Sequence, residues 1–214
     1  MNTSRHFISL VALLALGALM IGCETTPKNE AKKDTLQEDS HAALNRLQRE
    51  DPSLRDMMNS AYGYAVFPNI GKGGLIVGGA YGKGTVYEQG NMVGYADLTQ
   101  GTIGAQLGGQ TFSEIIVFEN SDALNRFKNN QLAFSANASA VAIKAGAAKS
   151  AKYNDGVAVF TMPNGGLMFE ASVGGQKFTY VPAGQGNRSV AADQHAATTQ
   201  PSGAHIDVDV DRNR

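Results

Sequence analysis

Apolar residues run almost unbroken from Phe7 to Ile21, return at three- and four-residue intervals between Leu36 and Ala61, and from Tyr62 onward alternate or cluster in short runs bounded by glycine. Each regime predicts its own structure. The first, after Arg5 and His6, is a secretory signal pattern, and at about 15 residues it is shorter than the roughly 20 needed to span a bilayer as a helix. The second is one face of a helix: Leu36, Ala43, Leu44 and Leu47, then Leu54, Met57, Met58 and Ala61. Asp51-Pro52 interrupts it as a cap followed by proline in the first helical position, so the pattern predicts two helices, about 35–50 and 52–61. Arg46, Arg49, Glu50, Arg55 and Asp56 fall mostly between the apolar positions, on the expected solvated side.

The third regime predicts strands near 63–67, 74–81, 84–89, 92–98, 102–109 and 113–118, with turns at 69–71, 82–84 and 89–91. Connections this short require antiparallel pairing. Ser121-Asp122 reads as a cap for a short helix ending at Asn129-Asn130. Residues 132–151 are small and ambiguous between helix and strand. Strands resume near 156–161, 165–174 and 176–181, and the polar stretch 182–214 is expected to be disordered. The fold class is α+β: a glycine-rich, mostly antiparallel, barrel-like sheet with N-terminal helices and one short internal helix. One internal similarity stands out. Ala65-Val66-Phe67-Pro68-Asn69, closing on Gly73-Gly74-Leu75-Ile76, returns as Ala158-Val159-Phe160 through Pro163-Asn164 followed by Gly165-Gly166-Leu167-Met168. Two equivalent hairpins, or chance convergence on a good turn sequence, would both give it.

Leu19-Met20-Ile21-Gly22-Cys23 resembles a lipobox, in which the cysteine thiol takes a diacylglycerol and becomes the acylated N-terminus. The organisation expected is therefore a signal peptide over 1–22, Cys23 and a polar spacer over 23–34, the folded domain over 35–181 and the tail. Cys23 is the chain's single cysteine. Spent on lipid, it leaves no thiol for redox chemistry or for a metal. Each buried methylene of an acyl chain is worth about 0.8 kcal/mol, so more than one chain gives stable anchoring.

The 25 glycines have no three-residue period, and the net charge of −1 comes with scattered basic residues and no tryptophan. Collagen and nucleic-acid binding are thereby set aside. The histidines are His6, His41, His195 and His205, none in the central domain. The commonest general base and metal ligand is missing there, so no catalytic set, metal or cofactor is expected. Gly78-Gly79-Ala80-Tyr81-Gly82-Lys83-Gly84-Thr85 fails as a phosphate loop, because Val77 and Gly84 stand where that motif needs glycine and a hydroxyl residue. Asp97, Glu114, Glu119 and Glu170 lie in or near the expected strands, and no spacing pairs any two of them. Glu114, ahead of Ile115-Ile116-Val117-Phe118, is a candidate polar site or a solvated charge at a strand start. Lys72 and Lys83, in expected glycine-flanked turns, are the candidate contacts for an anionic head group; exposed edge lysines also serve simply to block strand aggregation.

Gly63-Tyr64-Ala65-Val66-Phe67-Pro68-Asn69-Ile70-Gly71-Lys72-Gly73-Gly74, then Gly94-Tyr95-Ala96, Gly108-Gly109-Gln110, Glu114 to Phe118 and Gly165-Gly166-Leu167-Met168 closely resemble the SYLF, or Ysc84, domain, from about Leu36 to Val181. The resemblance implies a lipid-binding module without known catalysis, with Lys72 as the basic position matching the family block. Actin binding, known for some eukaryotic relatives, does not carry over, since an exported bacterial lipoprotein would meet none. Anionic phospholipid is the transferable partner. The expectation is a non-enzymatic, lipid-anchored envelope protein, and Glu24 after the cysteine, in place of the aspartate that signals inner-membrane retention, points to the outer membrane facing the periplasm. The alternative is an assembly protein acting through protein contacts.

Overall fold

The computed structural model describes residues 29–74, 77–103, 110–134, 140–165 and 173–185. The signal, Cys23, most of the spacer, Glu170 and the tail beyond residue 185 lie outside them.

Helix α1 spans Glu30–Glu50, starting where the Asn29 side chain accepts from the Ala31 N–H at 3.0 Å. Helix α2 follows at Ser53–Ser60. Four long strands come next: β1 (Gly63–Gly74), β2 (Val77–Glu88), β3 (Asn91–Ile103) and β4 (Gln110–Phe118). Helix α3 (Ser121–Lys128) begins one residue from its expected cap, with Asn120 accepting from Ala123 N–H at 3.0 Å. The ambiguous stretch resolves into β5 (Val141–Ala142) and α4 (Ala147–Ser150); β6 (Val157–Pro163) and β7 (Gln176–Pro182) complete the seven-stranded sheet. Its order is β5-β6-β4-β1-β2-β3-β7, antiparallel except for β5 on β6. It does not close into a barrel.

Two expected turns do not exist. Residues 69–71 lie inside β1, and 82–84 inside β2, where Asn69 faces Lys83 and Ile70 faces Gly82. Pro68, which cannot donate to a ladder, sits at a bulge between Val66 and Asn69 instead of ending the strand. The glycines of β2 serve packing. A Cβ on Gly84 would come within 2.5 Å of Val66 O and 2.7 Å of the Phe67 ring, and one on Gly82 within 2.7 Å of Ile70 Cγ1. The expected turn at 89–91 is real: Gln89 and Gly90 have φ of 48° and 81°, the two left-handed residues of a tight hairpin.

Strands β1 and β6, which carry the two similar sequences, flank β4 on either side, so Ile115 faces Val66 on one and Phe160 on the other. The first copy continues as strand through its Pro-Asn, whereas the second ends there.

Strong curvature gives the sheet two distinct faces. Phe67 on β1 and Phe178 on β7 are two strands removed from adjacency, about 14 Å apart if the sheet were flat, yet their rings lie 5.9 Å apart. The concave face holds a core of Ala65, Phe67, Ile70, Leu98, Phe112 and Ile116, closed by Leu124 and Phe127 of α3. On the convex face Val66, Ile115, Val117 and Phe160 pack under Leu47 of α1, Leu54 and Met58 of α2, and Ala147 and Ala148 of α4. The amphipathic stripe of the helices is thus spent on the sheet. Helix α1 lies across the strands: Gln37 donates to the Tyr95 hydroxyl on β3 at 3.0 Å and Arg46 reaches Ser113 on β4 at 3.3 Å. Nine residues of helix cover about 13.5 Å, close to three strand spacings.

Candidate functional site

Alternation along each strand decides which chemistry can meet. Lys72 follows Ile70 at a spacing of two and faces Ala80 and Gln110, which puts it on the concave side near the end of β1, 8% exposed. Lys83, three residues from Ala80 on β2, belongs to the convex side. There it ion-pairs with buried Asp97 across β3 at 3.6 Å, its Nζ 5.8 Å from the Tyr81 ring centre. The two lysines stand within strands and on opposite faces, so they do not form one surface.

Glu114 is the fifth residue of β4, fully buried on the concave face between Phe67 and Thr161. Gln176 of β7 donates from Nε2 to its Oε2 at 3.0 Å. Burial raises its pKa to about 8, a shift that the Gln176 hydrogen bond opposes. At neutral pH Glu114 is therefore a carboxylic acid that can itself donate. Three buried oxygens, Glu114 Oε1, Gln176 Oε1 and Thr161 Oγ1, have no hydrogen-bond partner among the described residues. A proton on Glu114 gives its carboxyl one hydrogen to donate. Asp97 lies on the opposite face, so the paired carboxylates of a hydrolase are not assembled from these two, and the concave interior around Glu114 is filled by aromatic and aliphatic side chains. Among the described residues no group of three or more His, Cys, Asp and Glu side chains is arranged to hold a metal.

The pattern of apolar positions missed a second polar cluster, on the convex face beside α1. Arg46 turns toward the sheet, not to solvent as expected, and its Nη2 donates to Ser113 Oγ at 3.3 Å and Asn164 Oδ1 at 3.2 Å. Ser113 Oγ lies 2.6 Å from Asn164 Oδ1 and 2.7 Å from Pro68 O. Asn164 Nδ2 donates to Pro68 O at 2.9 Å and Asn69 Oδ1 at 2.7 Å. The asparagines of the two similar segments thus meet, with Pro68 O at the β1 bulge as shared acceptor. The duplicated Pro-Asn was the available signal; their contact needed the register of β4. The Asn164 and Ser113 oxygens are occupied, whereas buried Arg46 Nε has no acceptor among the described residues.

Asp51 is a third buried polar group, and its work is structural. It accepts from the Ala148 N–H at 2.6 Å, the Gly146 and Ser53 N–H groups at 3.1 and 3.0 Å, and the Ser53 hydroxyl at 2.7 Å. These bonds join the α1–α2 corner to α4.

Residues 99–198 match the Ysc84 family model, described as Las17-binding protein actin regulator. The match begins in β3, after the Gly63–Gly74 block. Beta cell expansion factor A of Aeromonas veronii is 31% identical over 137 residues, 64% of this chain and 52% of that protein, so the chain spans about half the length of this curated relative. Over residues 99–198, from within β3 through β7 and beyond, the chain is similar to the Ysc84, or SYLF, family.

Proposed function

We propose that the protein is an envelope lipoprotein, held at a membrane by an acylated Cys23, whose domain binds phospholipid head groups and catalyses nothing. The resemblance to the SYLF domain carries the reading, because it implies a lipid-binding module, and residues 99–198 match the model of that family. Actin, named in the description of the family model, is not the partner we favour for an exported chain. Acyl chains would hold the domain at the surface, and a weak head-group contact would then be populated through the high effective concentration that a short spacer imposes. Lys72, near the end of β1, is the head-group contact; Lys83, engaged by Asp97, contributes less. Glu24 favours the periplasmic side of the outer membrane.

Two experiments test this. Palmitate labelling in the native host should mark the wild-type chain and not Cys23→Ser. Co-sedimentation with phosphatidylglycerol vesicles should be strong for the domain, reduced by Lys72→Ala and less so by Lys83→Ala. Failure to bind any anionic vesicle would remove the lipid-binding reading and leave assembly through protein contacts.

A further inference from the structure

Tyr64 and Tyr87 face each other across β1 and β2, and their rings stack 4.8 Å apart at 18°. Tyr64 also forms one wall of a cleft of about 490 Å³ on the convex face, a volume typical of small-molecule sites. Leu44 and Gln48, one turn apart, line it from α1. Met58 and Asn59 of α2, with Ala61 just after it, form a second side, and the β2–β3 hairpin closes a third with Gln89 and Gly90.

The lining divides by chemistry. Leu44, Met58, Ala61 and the Tyr64 ring are apolar, whereas Gln48, Asn59 and Gln89 bring three carboxamides, each able to donate and to accept. Gln48 spends one N–H on Met58 Sδ at 3.6 Å. The Asn59 and Gln89 side chains and the Tyr64 hydroxyl have no hydrogen-bond partner among the described residues. No lining side chain is charged. Gln89 is the least expected of them. It holds a φ of 48°, a left-handed turn position that asparagine, aspartate or glycine ordinarily fills. Its N–H is tied to Tyr62 O at 3.0 Å, which fixes the backbone. A long carboxamide kept there at a cost in strain points to work for the side chain.

The lining selects among ligands. A phosphate or carboxylate would lie against a surface with no cation to compensate it. An extended peptide needs free strand backbone, and Tyr64 is paired on both sides, with Tyr87 and with Val117. An acyl chain would leave three carboxamides without partners. A neutral sugar satisfies the whole set: its hydroxyls donate and accept as carboxamides do, and its C–H faces pack on tyrosine and methionine. An acetamido substituent adds an amide for a further carboxamide and a methyl group for the wall of Leu44, Met58 and Ala61.

We propose that this cleft binds a neutral glycan of N-acetylated hexosamines. The site lies on the face opposite Lys72 and does not depend on the head-group contact proposed there. The test uses the full chain with methyl-labelled methionine, purified from its native host in a detergent without sugar head groups. It is titrated with tri-N-acetylchitotriose and, as a sugar without acetamido groups, with maltotriose. The Met58 methyl signal should shift saturably with the first and much less with the second, while Met162 on β6, which is not part of the lining, stays in place. Gln89→Gly, which suits the turn, and Tyr64→Phe, which keeps the ring stack, should each weaken binding about five- to ten-fold, the worth of one hydrogen bond, with thermal stability undiminished. Co-sedimentation with cell-wall sacculi in addition would identify a polymer as the source of the sugar, and binding of the trimer alone a free oligosaccharide. No Met58 shift with either sugar, or a shift that neither variant weakens, would overturn the proposal. Equal binding of maltotriose would overturn the assignment to N-acetylated sugars. A Met58 shift that follows protein concentration without sugar would give the cleft to a second copy of the chain and overturn it too. Vesicle binding enters none of these outcomes, so the lipid-binding reading stands or fails separately.

Discussion

Gln176 donates to Glu114 at 3.0 Å although three strands, β1, β2 and β3, separate β7 from β4 in the sheet. The bond spans the concave core. Because burial lifts the Glu114 pKa to about 8 from an ordinary 4.5, the folded state holds a proton that the unfolded chain releases. The stabilisation is full below about pH 4.5 and is lost as pH rises toward 8, at about 1.4 kcal/mol per unit of pKa difference. Glu114→Gln should flatten this decline and make the variant more stable than wild type, by a few kcal/mol, at about pH 8. Urea titrations across that range measure it.

Asp51 has the opposite sign. Burial alone would raise its pKa, but hydrogen bonds from the Ala148 N–H, the Ser53 hydroxyl and the Gly146 and Ser53 N–H groups outweigh burial and lower it. Its contribution is present above the ordinary value of 3.8 and disappears as pH falls through the folded one. Asp51→Ala should cost about 3 kcal/mol, because four donors lose their acceptor at once. Hydrogen exchange should show α4 losing protection first.

Glycines of one sheet should differ sharply in tolerance. Gly84→Ala drives a methyl against Val66 O and the Phe67 ring and should cost about 2 kcal/mol or more, whereas Gly71→Ala meets open space and should be neutral or slightly stabilising. Thermal melts of the two variants, side by side, make the comparison.

Asn164→Ala removes two donors and an acceptor from the cluster under Arg46 and should destabilise by about 1–3 kcal/mol. If the cluster is cooperative, the Arg46→Ala/Asn164→Ala double variant will lose less than the sum of the singles.

Periodicity was enough for the buried faces of the helices, whose apolar stripe is local in sequence, and for the hairpin at Gln89-Gly90; it missed the first turn of α1, which starts at Glu30 within the polar stretch expected to be spacer, because that turn is capped by Asn29 and has no apolar stripe. It failed where a residue has two physical uses. Glycine serves turns and also close packing, so Gly82 and Gly84 read as a turn although the Ile70 and Phe67 side chains are what exclude a Cβ there. Proline ends strands but also sits at bulges, which concealed the continuity of β1. Lys72, Lys83 and Glu114 were visible as charges, but their faces depend on strand register, and the partners Gln176 and Asp97 are set by pairing between strands. Arg46 lay in the polar half of its helix pattern and was assigned to water, since nothing local announces Ser113 and Asn164 beneath it.

Helix α1, laid across the strands from Tyr95 to Ser113, also decides how the molecule answers a mechanical pull. Tension on the chain ahead of Asn29 enters the fold through this helix before it reaches any strand. Drawn along its own axis, α1 would have to shear Leu47, Ala43 and the Arg46 cluster past the sheet together, a stiff response; lifted outward, it would peel contact by contact and yield at low force. A domain held from that end is accordingly tougher against drag parallel to its support than against extraction from it.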